Sequence, residues 1–376
     1  MVGVRGIVAI VGVAGCLLLN LSHAGAAEPI AIGAIEILSG PNSKYGVAIK
    51  KGFDLALEKV NKTGVLGRPL EIAYEDSAGN KEQALNAARL LIGSKKVPLL
   101  LGPTLSGEMF AAGPIANQRK VPIVGTSTTA IGITDIGQYV FRTALPESDV
   151  VPVVLKTARD KLGVKKVAVM YAADDTFSKS SYDVMKIALE NLGIETLTTE
   201  TFSLKDSDFS AQLTKIKGLN PDAIVVASYV EAGAGIMLAK RSLGISDKVR
   251  IIGGNGLNSP KVGEIAGAAA DGTLVGSPWF VSKQDPANDE FVRDFRAKYS
   301  EDPDQFAAQA YDTLFLVAEA IRGAGTAEPD KIREALLKTT YSGVLGKFSF
   351  TADRNPADSS GVIVLEMKDG QFHILN

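Results

Sequence analysis

Two short stretches set hydroxyl side chains beside main-chain amides: Thr104-Leu105-Ser106-Gly107 and Ser127-Thr128-Thr129. Each follows an apolar run, Val97 to Leu101 and Val121 to Val124. Open α/β sheets bind ligands just beyond the carboxyl ends of their strands. Ser106 also precedes a helix, and helix amino ends stabilise anions, by about 0.3–1 kcal/mol when exposed. Serine and threonine cap helices and fill turns throughout α/β proteins. Two hydroxyl loops on adjacent strands, however, together form a receptor for a carboxylate. Three aromatic residues stand where they could enclose a solute. Tyr229 lies just past the run ending at Ala227, Tyr45 follows the turn Ser39-Gly40-Pro41-Asn42, and Trp279 is the single tryptophan. Against this, a lone tryptophan is more often core than contact, and Tyr45 could pack under its own loop.

Other chemistries are poorly served. The only histidines are His23 and His373, the latter three residues from the end. A Ser-His-Asp arrangement would need His373 to reach a strand-end loop, and a His/Cys metal cluster cannot be assembled. Asp174-Asp175 and Glu75-Asp76 are acidic pairs of the kind common in solvated loops. There is no Gly-x-x-x-x-Gly-Lys, and Gly33 begins no Gly-x-Gly-x-x-Gly run. The residues point to binding without catalysis and imply no cofactor.

The chain has 376 residues, with 40 basic and 42 acidic side chains. A nucleic-acid surface needs a marked basic excess, which is absent. The length exceeds what one core usually reaches, roughly 250–300 residues, so two domains are expected. Arg5, the apolar run Gly6 to Leu19 and the small residues Ala24-Gly25-Ala26-Ala27 follow the order of a secretory signal peptide. A spanning helix needs roughly 20 apolar residues. We therefore assign 1–27 as a cleaved leader and expect a periplasmic protein. Val13-Ala14-Gly15-Cys16 also has the form of a lipobox, which would instead anchor the chain through Cys16.

The elements that must carry these residues follow from the apolar pattern. Strands are expected at Ile30 to Ile37, Pro69 to Glu75, Val97 to Leu101 and Val121 to Val124, alternating with helices. A second series begins after Phe141-Arg142-Thr143, with strands at Lys166 to Tyr171, Glu195 to Phe202, Ala223 to Ala227 and Val249 to Gly253. Strands apolar throughout, not alternating, indicate parallel sheets covered on both faces. The fold class is α/β, with two doubly wound, Rossmann-like lobes. Three further helices and a terminal hairpin turning at Lys368-Asp369-Gly370 complete the two sheets, so the backbone crosses between lobes more than once.

The opening Ser39-Gly40-Pro41 through Tyr45-Gly46, Tyr74-Glu75-Asp76-Ser77, Gly102 with its hydroxyl loop and Asp208-Phe209-Ser210 resemble landmarks of one family. It is the periplasmic substrate-binding proteins of branched-chain amino acid ABC transporters, the Leu/Ile/Val-binding type. The resemblance runs from about Ile30 to Ile374. It implies a type I periplasmic binding fold with three hinge crossovers, lobe I at 28–146 and 280–343, and lobe II at 147–279 and 344–376. It also implies a monomer that delivers its solute to a cognate permease; a periplasmic sensor would share the fold. Ser106, Ser127 and Thr129 match the positions that hold a ligand carboxylate, with Thr128 between the last two. Tyr229 matches the tyrosine that closes over the ligand. Tyr45, Phe306 and Phe177 fall at side-chain contacts, and Trp279 lies at the hinge side of the cleft. One position departs: amino-acid binders carry a glutamate for the ligand ammonium where this chain has Asn255. A buried ammonium without countercharge costs several kcal/mol, by order of magnitude. The expected solute is therefore an aromatic or other organic carboxylate, with branched-chain or other amino acids as the alternative if Glu231 or Asp174 replaces the missing charge.

Overall fold

The computed structural model describes residues 1–3 and 28–375. Residues 4–27, which include Cys16, His23 and all but the start of the expected leader, lie outside the described residues.

The first half alternates strand and helix: β1 (Ile30–Glu36), α1 (Ser43–Val60), β2 (Leu70–Asp76), α2 (Lys81–Arg89), β3 (Leu100–Leu101), α3 (Ser106–Gln118), β4 (Ile123–Gly125) and β5 (Val140–Arg142). These strands form one all-parallel sheet in the order β2-β1-β3-β4-β5. The chain then crosses to a second unit: α4 (Glu147–Leu162), β6 (Lys166–Ala172), α5 (Thr176–Leu192), β7 (Glu195–Phe202), α6 (Ser210–Leu219), β8 (Ala223–Ala227), α7 (Val230–Ser242), β9 (Arg250–Gly253), α8 (Lys261–Ala266) and β10 (Leu274–Ser277). It crosses back for α9 (Pro286–Tyr299), α10 (Gln305–Ala324), α11 (Pro329–Leu336) and the hairpin β11 (Thr340–Gly343) and β12 (Gly346–Ser349). A third crossing leads to β13 (Ile363–Lys368) and β14 (Gln371–Ile374), which extend the second sheet antiparallel to β10. That sheet runs β14-β13-β10-β9-β8-β6-β7. Its five parallel strands thus repeat the order of the first sheet.

Strands buried on both faces explain the continuous apolar runs. β8 is buried at every position. The helix α10 is buried along nearly its whole length and packs against α1, closing the outer face of the first lobe. Gly52 permits that approach, since a Cβ there would stand 2.2 Å from the Ala307 carbonyl oxygen.

One boundary differs from expectation. The stretch 344–356, assigned above to lobe II, stays with lobe I. Asp312 of α10 accepts the amides of Val344 and Leu345 at 3.0 and 2.9 Å, Phe350 packs edge-on against Phe141 of β5, and Arg142 donates to Asn355. The third crossing therefore falls between 356 and β13. Among the described residues no helix is long and apolar enough to cross a membrane.

Candidate functional site

In sheets of this strand order the crevice opens where connections leave the sheet in opposite directions. That point lies between β1 and β3 in one lobe and between β6 and β8 in the other. The two switch points face each other, and the residues beyond those strands line one cavity: Thr104, Leu105 and Ser106 from one sheet, Phe177 and Tyr229 from the other.

The turn after β3 begins at Gly102, whose φ of +82° favours glycine; a Cβ would also fall 2.3 Å from the Ile35 carbonyl oxygen. Thr104 ties this turn to β1: its hydroxyl donates to Glu36 Oε2 at 2.5 Å and accepts from the Ile37 amide at 3.1 Å. Burial pushes the Glu36 carboxyl well above the usual range. Ser106 opens α3, whose first amides have no acceptor within the helix. Its Oγ accepts from the Ala130 amide at 3.2 Å, which leaves its proton to give. Ser127 Oγ instead donates to the Thr104 carbonyl at 2.5 Å.

Four rings complete the walls. Tyr45 of α1 and Phe306 of α10 meet edge-on at 4.9 Å; Phe177 of α5 stacks on Tyr229 at 5.1 Å. The Tyr229 hydroxyl is buried beside Asp175, and burial together with that acid's charge pushes its pKa well up. Tyr45 also bridges the lobes, donating to the Gly256 carbonyl at 2.5 Å and accepting from the Val230 amide at 3.0 Å. Gln305 to Asn255 (2.6 Å), Lys81 to Thr176 (2.9 Å) and the Ile131 amide to Ser180 (2.9 Å) are further links across the seam. The lobes are shut, and the space between the walls is tight, ≈ 20 Å³ as seen by a water.

The structure thus brings seven expected residues together: Tyr45, Ser106, Ser127, Phe177, Tyr229, Asn255 and Phe306. Three stand elsewhere. Thr128 turns its hydroxyl under β4, into space left because Gly125 has no side chain; a Cβ there would lie 2.1 Å from Thr128 Oγ1. Thr129 points its hydroxyl at Glu147, 3.4 Å away. Trp279 packs in the first lobe, its indole N–H donating to Asn288 at 2.7 Å and its ring lying edge-on to Phe291. A buried indole needs such an acceptor, and α9 supplies it.

Neither acid expected to replace the missing glutamate faces the cavity. Asp174 accepts from Ser203 Oγ and the Leu204 amide, and Glu231 pairs with Lys44 at 3.6 Å. The acid that sequence reasoning missed is Glu147, fully buried at the start of α4. It accepts from the Asn255 amide (2.8 Å), from Ser181 (3.0 Å) and from Thr129. Burial raises its pKa and these hydrogen bonds oppose the rise. In sequence it reads as an ordinary first-turn acid after Pro146.

The arrangement offers a hydroxyl and helix amides at one end, apolar rings along the walls and a hinge that can seal the space. Among the described residues no cluster suits a metal ion, and His373 lies exposed on β14. A family model described as periplasmic binding protein matches residues 29–371. The leucine-, isoleucine-, valine-, threonine- and alanine-binding protein of Pseudomonas aeruginosa is 29% identical over 332 residues, 88% of this chain and 87% of its own. The branched-chain amino acid substrate-binding protein of Streptococcus pneumoniae, solved with isoleucine, is 30% identical and superposes with a TM-score of 0.85, covering 92% of this chain and 99% of that one. A Rhodopseudomonas palustris solute-binding protein solved with benzoate shares the fold, with a TM-score of 0.84 over 92% and 95% of the two chains, at 22% identity. The chain belongs to the periplasmic binding protein family, as a non-enzymatic solute-binding protein of an ABC importer that carries a small organic ligand between its two lobes to the permease.

Proposed function

We propose that the solute is a small aliphatic amino acid, of the branched-chain type. Ser106 and the opening amides of α3 receive its carboxylate. The rings of Tyr45, Phe177, Tyr229 and Phe306 pack on its side chain. The observation that carries this reading is the pairing of a free hydroxyl donor with four rings around one cavity between the lobes. The amino-acid binders named above, at 29 and 30% identity, support it. The aromatic carboxylate favoured from the sequence has weaker support, since at 22% identity the benzoate-bound neighbour speaks for the fold alone. Neutral Asn255 is the one feature in favour of that acid. Closure supplies the mechanism: the second lobe's contacts with the solute exist only when the cleft is shut, so binding shifts the open–closed equilibrium and the permease meets the closed face.

Titration calorimetry with leucine, isoleucine, valine and alanine beside benzoate and 4-hydroxybenzoate tests the proposal. Micromolar or tighter binding of at least one aliphatic amino acid is expected. Tight binding of the aromatic acids with no response to any amino acid would overturn it.

A further inference from the structure

Among the described residues no cation answers the buried carboxyl group of Glu147. The influences on it are burial and hydrogen bonds from Asn255, Ser181 and Thr129. Arg142, the basic residue of the adjoining strand end, spends its guanidinium on the carbonyls of Thr128 and Ala130 and on Asn355. Other acids near the cleft are engaged differently. Asp175 caps α5 and feels Lys81, and Glu231 pairs with Lys44. Glu36 and Glu108 stand behind Thr104 and Leu105, at the end where α3 receives an anion. Glu147 lies on the other side of the cavity wall. One of its donors, Asn255, lines the cavity, and Gly254 beside it has no Cβ because that atom would fall 2.2 Å from Glu147 Oε2.

We infer that Glu147 is a specificity-determining charge of this cleft, acting from behind Asn255 and Thr129 to favour a solute with an ammonium group over the same solute without one. The inference rests on the amino-acid reading above and deepens it. The 253–256 loop itself brings only the neutral amide of Asn255 to the cavity, and Glu147 stands one layer deeper, at the start of α4. Unit charges roughly 6 Å apart, at an effective dielectric of about 20, interact strongly enough to change binding by 10- to 100-fold.

The test compares leucine with 4-methylpentanoate, which is leucine without its ammonium group, on the full chain and on E147Q. The glutamine keeps an acceptor for the Asn255 amide and loses the charge. The wild-type protein is expected to prefer leucine by at least 100-fold. In E147Q leucine should weaken by 10- to 100-fold while 4-methylpentanoate binds as well as before or better. The double variant E147Q/N255D, which returns a carboxylate on the facing residue, should recover leucine binding; if E147Q does not fold, the wild-type ratio carries the test, and leucine bound no better than 4-methylpentanoate would overturn the inference. Equal losses for both ligands in E147Q would mark a purely structural role and overturn the inference. So would unchanged leucine affinity, or a folded double variant without recovery. A wild-type protein that binds no amino acid would overturn the amino-acid reading itself, and this inference with it.

Discussion

Ser106 and Ser127 differ in what their hydroxyls have left to give. Ser106 Oγ only accepts, from Ala130, so its proton is available to a carboxylate; Ser127 has committed its proton to the Thr104 carbonyl. Ser106→Ala is therefore expected to weaken solute binding about tenfold, the scale of roughly 1.5 kcal/mol for a lost hydrogen bond to a charged group. Ser127→Ala should change it only a few-fold; calorimetry separates the two. Trp279→Phe should leave affinity unchanged and lower the thermal midpoint, because Asn288 loses a buried partner worth about 1–3 kcal/mol. Ser106 was legible in the sequence because its place after an apolar run implies a strand end. Trp279 was misplaced because rarity says nothing of direction. Glu147 was illegible because its role depends on Thr129, Ser181 and Asn255, which only the folded chain gathers.

At the scale of elements, the turn after β9 carries both Asn255 and the carbonyl that Tyr45 grips. Gly256 makes this possible: a Cβ there would lie 2.2 Å from the Ser228 carbonyl oxygen and 2.9 Å from the Phe177 ring. Gly256→Ala is expected to push this turn off the β8–α7 connection and cost tenfold or more in affinity. Far-ultraviolet circular dichroism should be unchanged, since both sheets remain. Long elements such as α1 and β6 declared themselves by apolar spacing. β5 and β10, of three and four residues, did not. Neither sits in an apolar run like those that announced the equally short β3 and β4, so each is defined by the neighbours it pairs with. The same holds for 344–356, which Asp312 and Phe141 hold on the first lobe.

For the molecule as a whole, buried acids set the pH response. Burial pushes Glu108 and Asp312 up to about 7 and Asp304 up to about 6. The folded form therefore holds these protons more tightly than the unfolded chain, whose carboxyls titrate near 4. Their contribution to stability is complete below about pH 4 and is lost as pH rises through 6 and 7. The protein should be more stable at pH 5 than at pH 8, seen as a higher thermal midpoint, and E108Q or D312N should flatten that slope. A midpoint rising from pH 5 to pH 8 would contradict these environments. The two sheets were legible as two strand–helix series, whereas the three crossings rested on family resemblance, because no local pattern tells which sheet a late segment joins.

The claim beneath all of this is that a solute holds the two lobes together. Gln83 and Lys179 are exposed and lie on opposite sides of the seam that Lys81 and Thr176 close. Spin labels on Q83C and K179C, with Cys16 replaced by serine, report their separation by pulsed electron resonance. With saturating leucine the distance distribution should collapse to a single short population, and without it a longer one should appear. Leucine that binds by calorimetry yet leaves the two distributions identical would contradict the account.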